Sequence, residues 1–309
     1  MAIELPSLSL GGNVFGWTAD EAQSFAVLDA ARDAGIHFVD TADVYAAWIN
    51  GGKGGQSETI LGRWIADRGA RDETIVATKV GMRPGFDDLR PGTLKAGLDE
   101  SLGRLQLDTV DLFYAHKDDG GDLVETLATF DGFVKEGKIR AIGLSNFSAE
   151  RLREALDVAE REGFAKPSVL QPKYSLVERD YETDEQEVAA YGQLAVVPYY
   201  ALASGFLTGK YRPGGADTES ARAGSASAYL GEPRGPAVLE ALDAVAEAHE
   251  VEVASVALAW LRAQPTVVAP LASARTVEQV APLAASLTLE LTPDELASLT
   301  AASETGVNA

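Results

Sequence analysis

The chain contains no cysteine, which excludes disulfide bonds, thiolate metal ligands and a cysteine nucleophile. It has only three histidines, His37, His116 and His249, and no H-x-x-x-H pair, so we do not expect a zinc enzyme. Basic residues are also scarce: 26 Lys and Arg stand against 47 Asp and Glu, for a net charge of −21 over 309 residues. Such a charge repels polyphosphate, so we expect no nucleic acid partner and no anionic membrane surface, while a local basic pocket stays open.

Long hydrophobic runs are absent as well. The longest, such as residues 194–202, are far too short to span a bilayer. The amino terminus, MAIELPSLSLGG, has neither the basic region nor the long apolar region of a signal peptide. We therefore expect a soluble cytoplasmic protein.

Three glycine-rich stretches, at residues 11–16, 50–57 and 204–211, do not carry a phosphate-binding motif. The first lacks the G-x-G-x-x-G spacing and the second lacks the Walker spacing. The third has Ser204 and Tyr211 where the Walker motif requires Gly and Ser or Thr. No G-x-S-x-G nucleophile elbow is present either.

Short β-rich apolar runs alternate with longer segments of helical period, which is typical of repeated βα units around a parallel sheet. The runs are Leu8 to Gly16, His37 to Ala42, Thr74 to Val80, Thr109 to His116, Arg140 to Ser145, Val169 to Ser175, Leu194 to Ala201 and Val267 to Ala272. Eight such units predict an α/β fold, a single (β/α)8 TIM barrel of parallel strands over residues 1–309. The alternative is an open doubly wound sheet, which needs a switch point and usually a phosphate fingerprint; neither is visible.

Helices are predicted between these runs from their caps and stops. Asp20 caps a helix that runs towards Gly35, and similar signals bound helices at 121–137 and 148–163. The buried face of the first helix is predicted to carry Ala22, Phe25, Leu28, Ala31 and Ala34. Residues 212–235, rich in Gly, Ala, Ser and Pro, are expected to form a long loop, either a surface excursion or a flap over a ligand.

Polar side chains stand at the ends of three successive predicted strands. Asp40 lies at the end of the second strand with Tyr45 just beyond it, Lys79 lies near the end of the third, and His116 ends the fourth. The carboxyl ends of barrel strands form the face on which barrel active sites lie. We therefore expect these four titratable groups to converge.

Such a cluster suits the reduction of a carbonyl group. Tyr45 can donate a proton to a developing alkoxide, and an adjacent ammonium makes that proton easier to give. A carboxylate compensates the lysine charge, and a histidine can orient the carbonyl oxygen. These groups supply no electrons, so a hydride donor must bind nearby. Taken singly, each residue also has a structural interpretation as a barrel salt bridge, a structural histidine or packing; their placement on successive strands favours the catalytic one.

Eight motifs follow one another along most of the chain: VDTADVY, SETILG, ATKVG, DLFYAHKDD, EGKIRAIGLSNFS, LQPKYSLVERD, PYYALASGFLTGKYR and APLASARTVEQV. In this order they resemble the motifs of the aldo-keto reductases. The resemblance implies the same (β/α)8 barrel. It also implies that Tyr45 is the proton donor, that Lys79 lowers its pKa, that Asp40 supports Lys79 and that His116 orients the substrate carbonyl. Ala46 stands where many relatives have glycine.

The resemblance further implies a nicotinamide cofactor. By this resemblance, the nicotinamide carboxamide is hydrogen-bonded by Ser145, Asn146 and Gln171, and the nicotinamide ring stacks on Tyr199. The resemblance assigns the pyrophosphate to Ala201, Leu202, Ser204, Gly205 and Lys210, the adenosine 2′-phosphate to Ser273, Ala274 and Arg275, and the neighbourhood of adenine to Gln279. A guanidinium offers a phosphate several donors and a permanent charge, so NADPH (NADP+) is expected over NADH.

The expected partner is a small-molecule carbonyl substrate, whose identity the sequence does not give. Trp17 and Trp48 follow the first and second strands, where they either wall the substrate pocket or serve as packing. The oligomeric state is open, with a monomer plausible. A second hypothesis is a cofactor-bound sensing or binding module with little turnover, similar to the cytoplasmic β subunits of potassium channels.

Overall fold

A computed structural model describes residues 3–212, 214 and 223–304. Among these residues, eight parallel strands form one curled sheet in the order β7-β6-β5-β4-β3-β2-β1-β8. They are β1 Ser9–Gly11, β2 Phe38–Asp40, β3 Ile75–Val80, β4 Val110–Ala115, β5 Ile139–Ser145, β6 Val169–Gln171, β7 Ala195–Val196 and β8 Leu271–Ala272. Val196 pairs with Val267 just before β8, so the sheet closes on itself. The fold is the predicted (β/α)8 barrel.

Each of the eight predicted runs contains or overlaps a strand, but several strands are much shorter than predicted. The run from residue 194 to 201, for example, pairs regularly only at Ala195–Val196. Val197 and Ala201 nevertheless remain buried. The apolar run is longer than the strand because the loops at the carboxyl end of the barrel also bury apolar side chains.

Helices lie between the strands, on the outside of the barrel. They are α1 Glu21–Asp33, α2 Gln56–Arg68, α3 Pro91–Leu105, α4 Leu123–Lys135, α5 Ala149–Glu162, α6 Glu185–Gly192, α7 Ala223–Ala228, α8 Arg234–His249, α9 Val253–Arg262, α10 Val280–Ala285 and α11 Pro293–Glu304. The predicted caps Asp20, Asp122 and Ser148 each accept a hydrogen bond from a backbone N–H of the first turn. The predicted face of α1 was wrong at Ala22, which is exposed because the buried face of α1 consists of Ser24, Val27, Leu28 and Ala31.

The prediction of a loop over residues 212–235 was wrong for its second half. Residues 223–228 form α7, Tyr229–Gly231 forms a 3-10 turn, and α8 begins at Arg234. Tyr229 anchors this part by packing on Phe206 at 5.1 Å between ring centroids. Residues 213 and 215–222 lie outside the described part of the chain, so the prediction stands untested there.

Two apolar cores hold the barrel. The larger one fills the space between the sheet and the helices. The smaller one fills the barrel centre with Phe38, Leu112, Tyr114 and Val169 among others, closed by Ile3 and Leu5. These are inward-facing positions of neighbouring strands, and they fill the barrel below the carboxyl ends of the strands.

Gly143 of β5 lies so close to the barrel centre that an added Cβ would collide with a buried side chain. A Cβ there would lie 2.2 Å from Cδ1 of Tyr114, whose side chain is fully buried. We expect Gly143→Ala to lower the free energy of unfolding by about 1–3 kcal/mol through overpacking, measured by urea denaturation. Gly132→Ala is the control: it lies in α4 with nothing within 4 Å, so it should raise stability by about 0.5–1 kcal/mol. Equal stability of Gly143→Ala and the wild type would contradict this packing.

No helix of the described residues is long and apolar enough to cross a membrane.

Candidate active site

Asp40 and Lys79 meet at the carboxyl end of β2 and β3, and both side chains are fully buried. The Lys79 ammonium donates to the Asp40 carboxylate, to the Thr41 carbonyl at 2.8 Å and to the Tyr45 hydroxyl at 2.9 Å. An ammonium has three donors. All three N–H groups of Lys79 therefore donate a hydrogen bond. These bonds fix the orientation of the ammonium, and the Tyr45 hydroxyl is one of its three partners.

The segment from Asp40 to Tyr45 is shaped by continued pairing with β3. The Thr41 N–H donates to the Ala77 carbonyl at 2.8 Å, and the Asp43 N–H donates to the Lys79 carbonyl at 3.2 Å. Beyond Tyr45 the chain turns sharply at Ala46, which has φ of 67°. That left-handed conformation costs a non-glycine residue about 1–2 kcal/mol.

Tyr45 and Lys79 must both carry a proton for the proposed chemistry, Tyr45 as a neutral phenol and Lys79 as a charged ammonium, and their surroundings favour both forms. Burial raises the pKa of Tyr45, while the charge of Lys79 lowers it and is outweighed. Burial alone lowers the pKa of Lys79, but Asp40 and Tyr45 outweigh it and the pKa is raised. The pair therefore rests as a neutral phenol against a charged ammonium.

His116 follows β4 and completes the cluster on its other side. Its ring centroid lies 6.2 Å from that of Tyr45, with the ring planes at 76°. Burial, reinforced by the positive charges of Lys79 and Lys117, lowers the pKa of His116 well below its usual range. The imidazole is therefore neutral at physiological pH. Its buried Nδ1 has no hydrogen-bond partner among the described residues.

The residues assigned to the nicotinamide carboxamide lie beside this cluster, at the ends of β5 and β6. Asn146 donates to the His116 carbonyl at 2.9 Å and to Ser145 Oγ at 3.1 Å, and it accepts from the Tyr199 hydroxyl at 2.8 Å. Gln171 Nε2 donates to Asp40 Oδ2 at 3.0 Å. The structure thus brings all four residues together and connects them to the carboxylate that holds Lys79.

The segment assigned to the pyrophosphate has an unusual backbone. Ala203, Ser204 and Gly205 have successive positive φ values of 46°, 57° and 93°. Two of the three are not glycine, and strained non-glycine residues cluster at ligand clamps and functional sites. Lys210 lies against this turn, since a Cβ on Gly205 would be 3.5 Å from its Cε. Ala201 is buried and Leu202 is half-buried just before the turn.

The residues assigned to the adenosine phosphate follow β8. Ser273 donates to Asn13 Oδ1 at 2.7 Å, which ties this segment to the loop after β1. The Arg275 backbone N–H donates to Gln279 Oε1 at 2.8 Å. The Arg275 guanidinium makes no ion pair with any residue that the structure describes, so no described carboxylate neutralises its charge.

Trp17 and Trp48 pack edge to face at 5.2 Å between ring centroids. Trp48 lies in a 3-10 turn, Ala47–Ile49, directly after Tyr45 and Ala46. Its side chain is 52% exposed. The two indoles therefore form one aromatic unit on the face of the barrel that carries Tyr45.

Sequence reasoning missed a buried set of charges behind Tyr45, in which Asp43 pairs with Arg83 and Glu58 pairs with Arg104. The sequence did contain one indication of this pairing. Asp43 is the second acidic residue of DTADVY, and a charge inside a buried segment needs a partner. The partner lies 40 residues away in sequence. No local pattern identifies it.

No group of acidic residues and histidines suited to a metal ion occurs in the described chain.

Known proteins resemble this chain over most of its length. The model of the Aldo/keto reductase family matches residues 7–304. "Protein tas" of Escherichia coli is 32% identical over 98% of this chain and 95% of its own length. "Uncharacterized oxidoreductase YrpG" of Bacillus subtilis is 37% identical over 90% of this chain and 86% of its own. "Probable voltage-gated potassium channel subunit beta" of Oryza sativa is 32% identical over 90% and 86%.

Proposed function

Because this chain belongs to the aldo/keto reductase family, we propose that it reduces aldehydes or ketones to alcohols with NADPH as hydride donor and Tyr45 as proton donor. The observation that carries the proposal is the 2.9 Å contact between the Tyr45 hydroxyl and the buried Lys79 ammonium. A phenol in that position can release a proton because the ammonium stabilises the phenolate it leaves.

The residues present fit NADPH. The strained turn at Ala203, Ser204 and Gly205 is the kind of backbone found at ligand clamps. The guanidinium of Arg275, which no described carboxylate neutralises, supplies a permanent charge for a phosphate. Ser145, Asn146 and Gln171 offer the donors and acceptors that a carboxamide requires. We assign the adenine neighbourhood to Gln279 and the ring stack to Tyr199.

When bound, NADPH supplies a hydride from nicotinamide C4 to the carbonyl carbon of the substrate. Tyr45 donates its hydroxyl proton to the carbonyl oxygen, so that a C–H and an O–H bond form and an alcohol leaves. Lys79 stabilises the phenolate, and Asp40 keeps the buried ammonium compensated. Neutral His116 donates a hydrogen bond that orients the carbonyl oxygen. The Tyr45 phenolate then takes a proton from solvent, which restores the hydroxyl for the next turnover.

Consumption of NADPH with a panel of aldehydes, ketones and quinones tests this function. Turnover of at least one class supports it. Tight binding of NADPH without turnover of any would contradict it and favour the second candidate, a cofactor-bound binding module. The similarity to the rice potassium channel subunit favours that candidate. Its further signature would be a stable oligomer in size-exclusion chromatography.

Arg275 decides the choice between the two nicotinamide cofactors. Losing a hydrogen-bonded charge pair costs about 1.5–3 kcal/mol, so we expect Arg275→Met to raise the Kd for NADPH by roughly tenfold or more and to leave the Kd for NADH unchanged. Fluorescence titration measures both constants. Arg63→Met is the control, since Arg63 pairs with Glu21 on the outer helices. Equal weakening of NADPH and NADH would show that Arg275 does not contact the 2′-phosphate.

A further inference from the structure

Five charged side chains form a connected network behind Tyr45. Arg83 contacts Asp43 at 3.3 Å and Glu100 at 2.6 Å. Arg104 contacts the same Glu100 at 3.1 Å and Glu58 at 2.6 Å. Asp43 and Glu58 are fully buried and Arg83 is nearly so. The network therefore runs from the surface of α3 inward to the loop that carries Tyr45.

The pair of Asp43 and Arg83 joins the two segments on which the proposed chemistry depends. Asp43 lies between Asp40 and Tyr45, and Arg83 follows Lys79 by four residues. The Asp43 N–H also donates to the Lys79 carbonyl at 3.2 Å. Asp43 thus contacts the Lys79 segment through both its backbone and its side chain. A shift of Asp43 would move Tyr45 relative to Lys79.

The glycine-rich stretch at 50–57, which carries no phosphate motif, closes over this network. A Cβ on Gly54 would lie 2.0 Å from the Asp43 carbonyl oxygen, and a Cβ on Gly55 would lie 2.5 Å from Cδ of Arg104. The Lys53 carbonyl accepts from Arg83 at 3.4 Å. The glycines are required here because the loop passes too close for side chains, and the close passage shields Asp43 from solvent.

The charges of the network do not cancel. Asp43, Glu58 and Glu100 carry three negative charges, while Arg83 and Arg104 carry two positive ones. One oxygen of Asp43, Oδ1, is buried without a partner among the described residues. Burial, reinforced by repulsion from Glu58, raises the pKa of Asp43 to about 7, although Arg83 and Arg104 oppose the shift. Asp43 therefore exchanges its proton near neutral pH.

We propose that Asp43 is a positioning residue for carbonyl reduction, which in its ionised form holds the Tyr45 segment through Arg83 in register with Lys79. This inference rests on the proposed function. It adds a residue that acts on Tyr45 and Lys79 without touching substrate or cofactor. It also gives the glycine-rich stretch a role, that of covering the ion pair.

The raised pKa gives the stability effect a definite sign. A carboxyl whose folded pKa lies above its unfolded value stabilises the fold at acidic pH, and that contribution is lost as pH rises through about 7. Asparagine resembles the protonated form. Asp43→Asn is therefore expected to be at least as stable as the wild type above neutrality and yet less active. A residue with a merely structural role would lose stability instead.

The first experiment compares the pH dependence of kcat in the wild type and in Asp43→Asn. Wild-type kcat should rise as pH passes through about 7, where Asp43 ionises. His116 stays neutral across this range and adds no inflection. Because small misplacements of reacting groups cost up to about 10²-fold, kcat of Asp43→Asn should be roughly tenfold lower at high pH, without the inflection and with KM for NADPH unchanged. An unchanged profile would overturn the proposal.

Asp111→Asn is the matched control. Asp111 is also a buried carboxylate paired with arginines, Arg71 and Arg140, but it lies at the start of β4, at the opposite end of the barrel. Its substitution should lower the melting temperature and leave the pH profile of kcat as in the wild type. Loss of the inflection in Asp111→Asn as well would overturn the assignment of that inflection to Asp43.

A second measurement does not depend on activity. In protein with isotope-labelled tyrosine, the Tyr45 ring resonance is assigned by its absence in Tyr45→Phe. We expect its chemical shift to follow an inflection near pH 7 in the wild type and to lose it in Asp43→Asn. This result would support the inference even if no substrate were turned over and the proposed function failed. A Tyr45 resonance with the same pH dependence in both proteins would overturn it.

Discussion

Tyr45→Phe is expected to lower kcat for carbonyl reduction by about 10²–10⁴-fold, the usual contribution of a positioned general acid. The phenyl ring keeps its packing between Lys79 and His116. In the wild type, the Lys79 Nζ atom lies 4.8 Å from the Tyr45 ring centroid, and the His116 ring centroid lies 6.2 Å from it. Only the hydroxyl is removed. The Kd for NADPH should therefore change little, and the loss should appear in single-turnover rates as well as in the steady state.

Tyr181→Phe is the control for this substitution. Tyr181 is buried like the ring of Tyr45, and its hydroxyl bonds to Thr266 at 2.6 Å, away from the reacting groups. Its loss should cost about 1 kcal/mol of stability and leave kcat unchanged. If Tyr45→Phe kept wild-type kcat, another group would be the proton donor.

Lys79→Met is expected to reduce both activity and stability. Without the ammonium nothing stabilises the phenolate, so kcat should fall by about as much as in Tyr45→Phe. Asp40 would be left as an uncompensated buried charge, which lowers the free energy of unfolding by about 3–5 kcal/mol. Because the fold raises the pKa of Lys79, the stabilising contribution of the pair persists through neutral pH and is lost only in alkali.

The double variant Asp40→Asn with Lys79→Met separates the two effects. Removing both charges should restore most of the stability that the single variant loses, as in other buried ion pairs, while activity stays low. Denaturant unfolding and kcat on the same samples measure this. If Lys79→Met alone were as stable as the wild type, Asp40 would not be the buried charged partner that the structure indicates.

The convergence of Asp40, Lys79 and His116 could be predicted because it follows from topology. Parallel strands that alternate with helices place their carboxyl ends on one face, whatever the details of packing. Polar residues at the ends of buried strands were therefore sufficient to locate the site. The caps Asp20, Asp122 and Ser148 were predictable for a similar reason, since each satisfies backbone groups within its own helix turn.

Features that depend on distant contacts could not be predicted. The network of Asp43, Arg83 and Arg104 joins a loop after β2 to the loop after β3 and to α3, and no local pattern encodes that meeting. The helix at 223–228 has the composition of a loop, but Ala226 is fully buried in the core. Tertiary packing overrides propensity in such segments.

Transfer of a label from the cofactor tests the central claim most directly. The protein is incubated with NADPH that carries deuterium at the transferable position of C4 and with a carbonyl substrate, and the products are analysed by mass spectrometry. The account predicts an alcohol with one deuterium on the former carbonyl carbon, formed by the wild type and nearly absent with Tyr45→Phe. An unlabelled alcohol, or bound cofactor with no alcohol from any carbonyl tested, would contradict it.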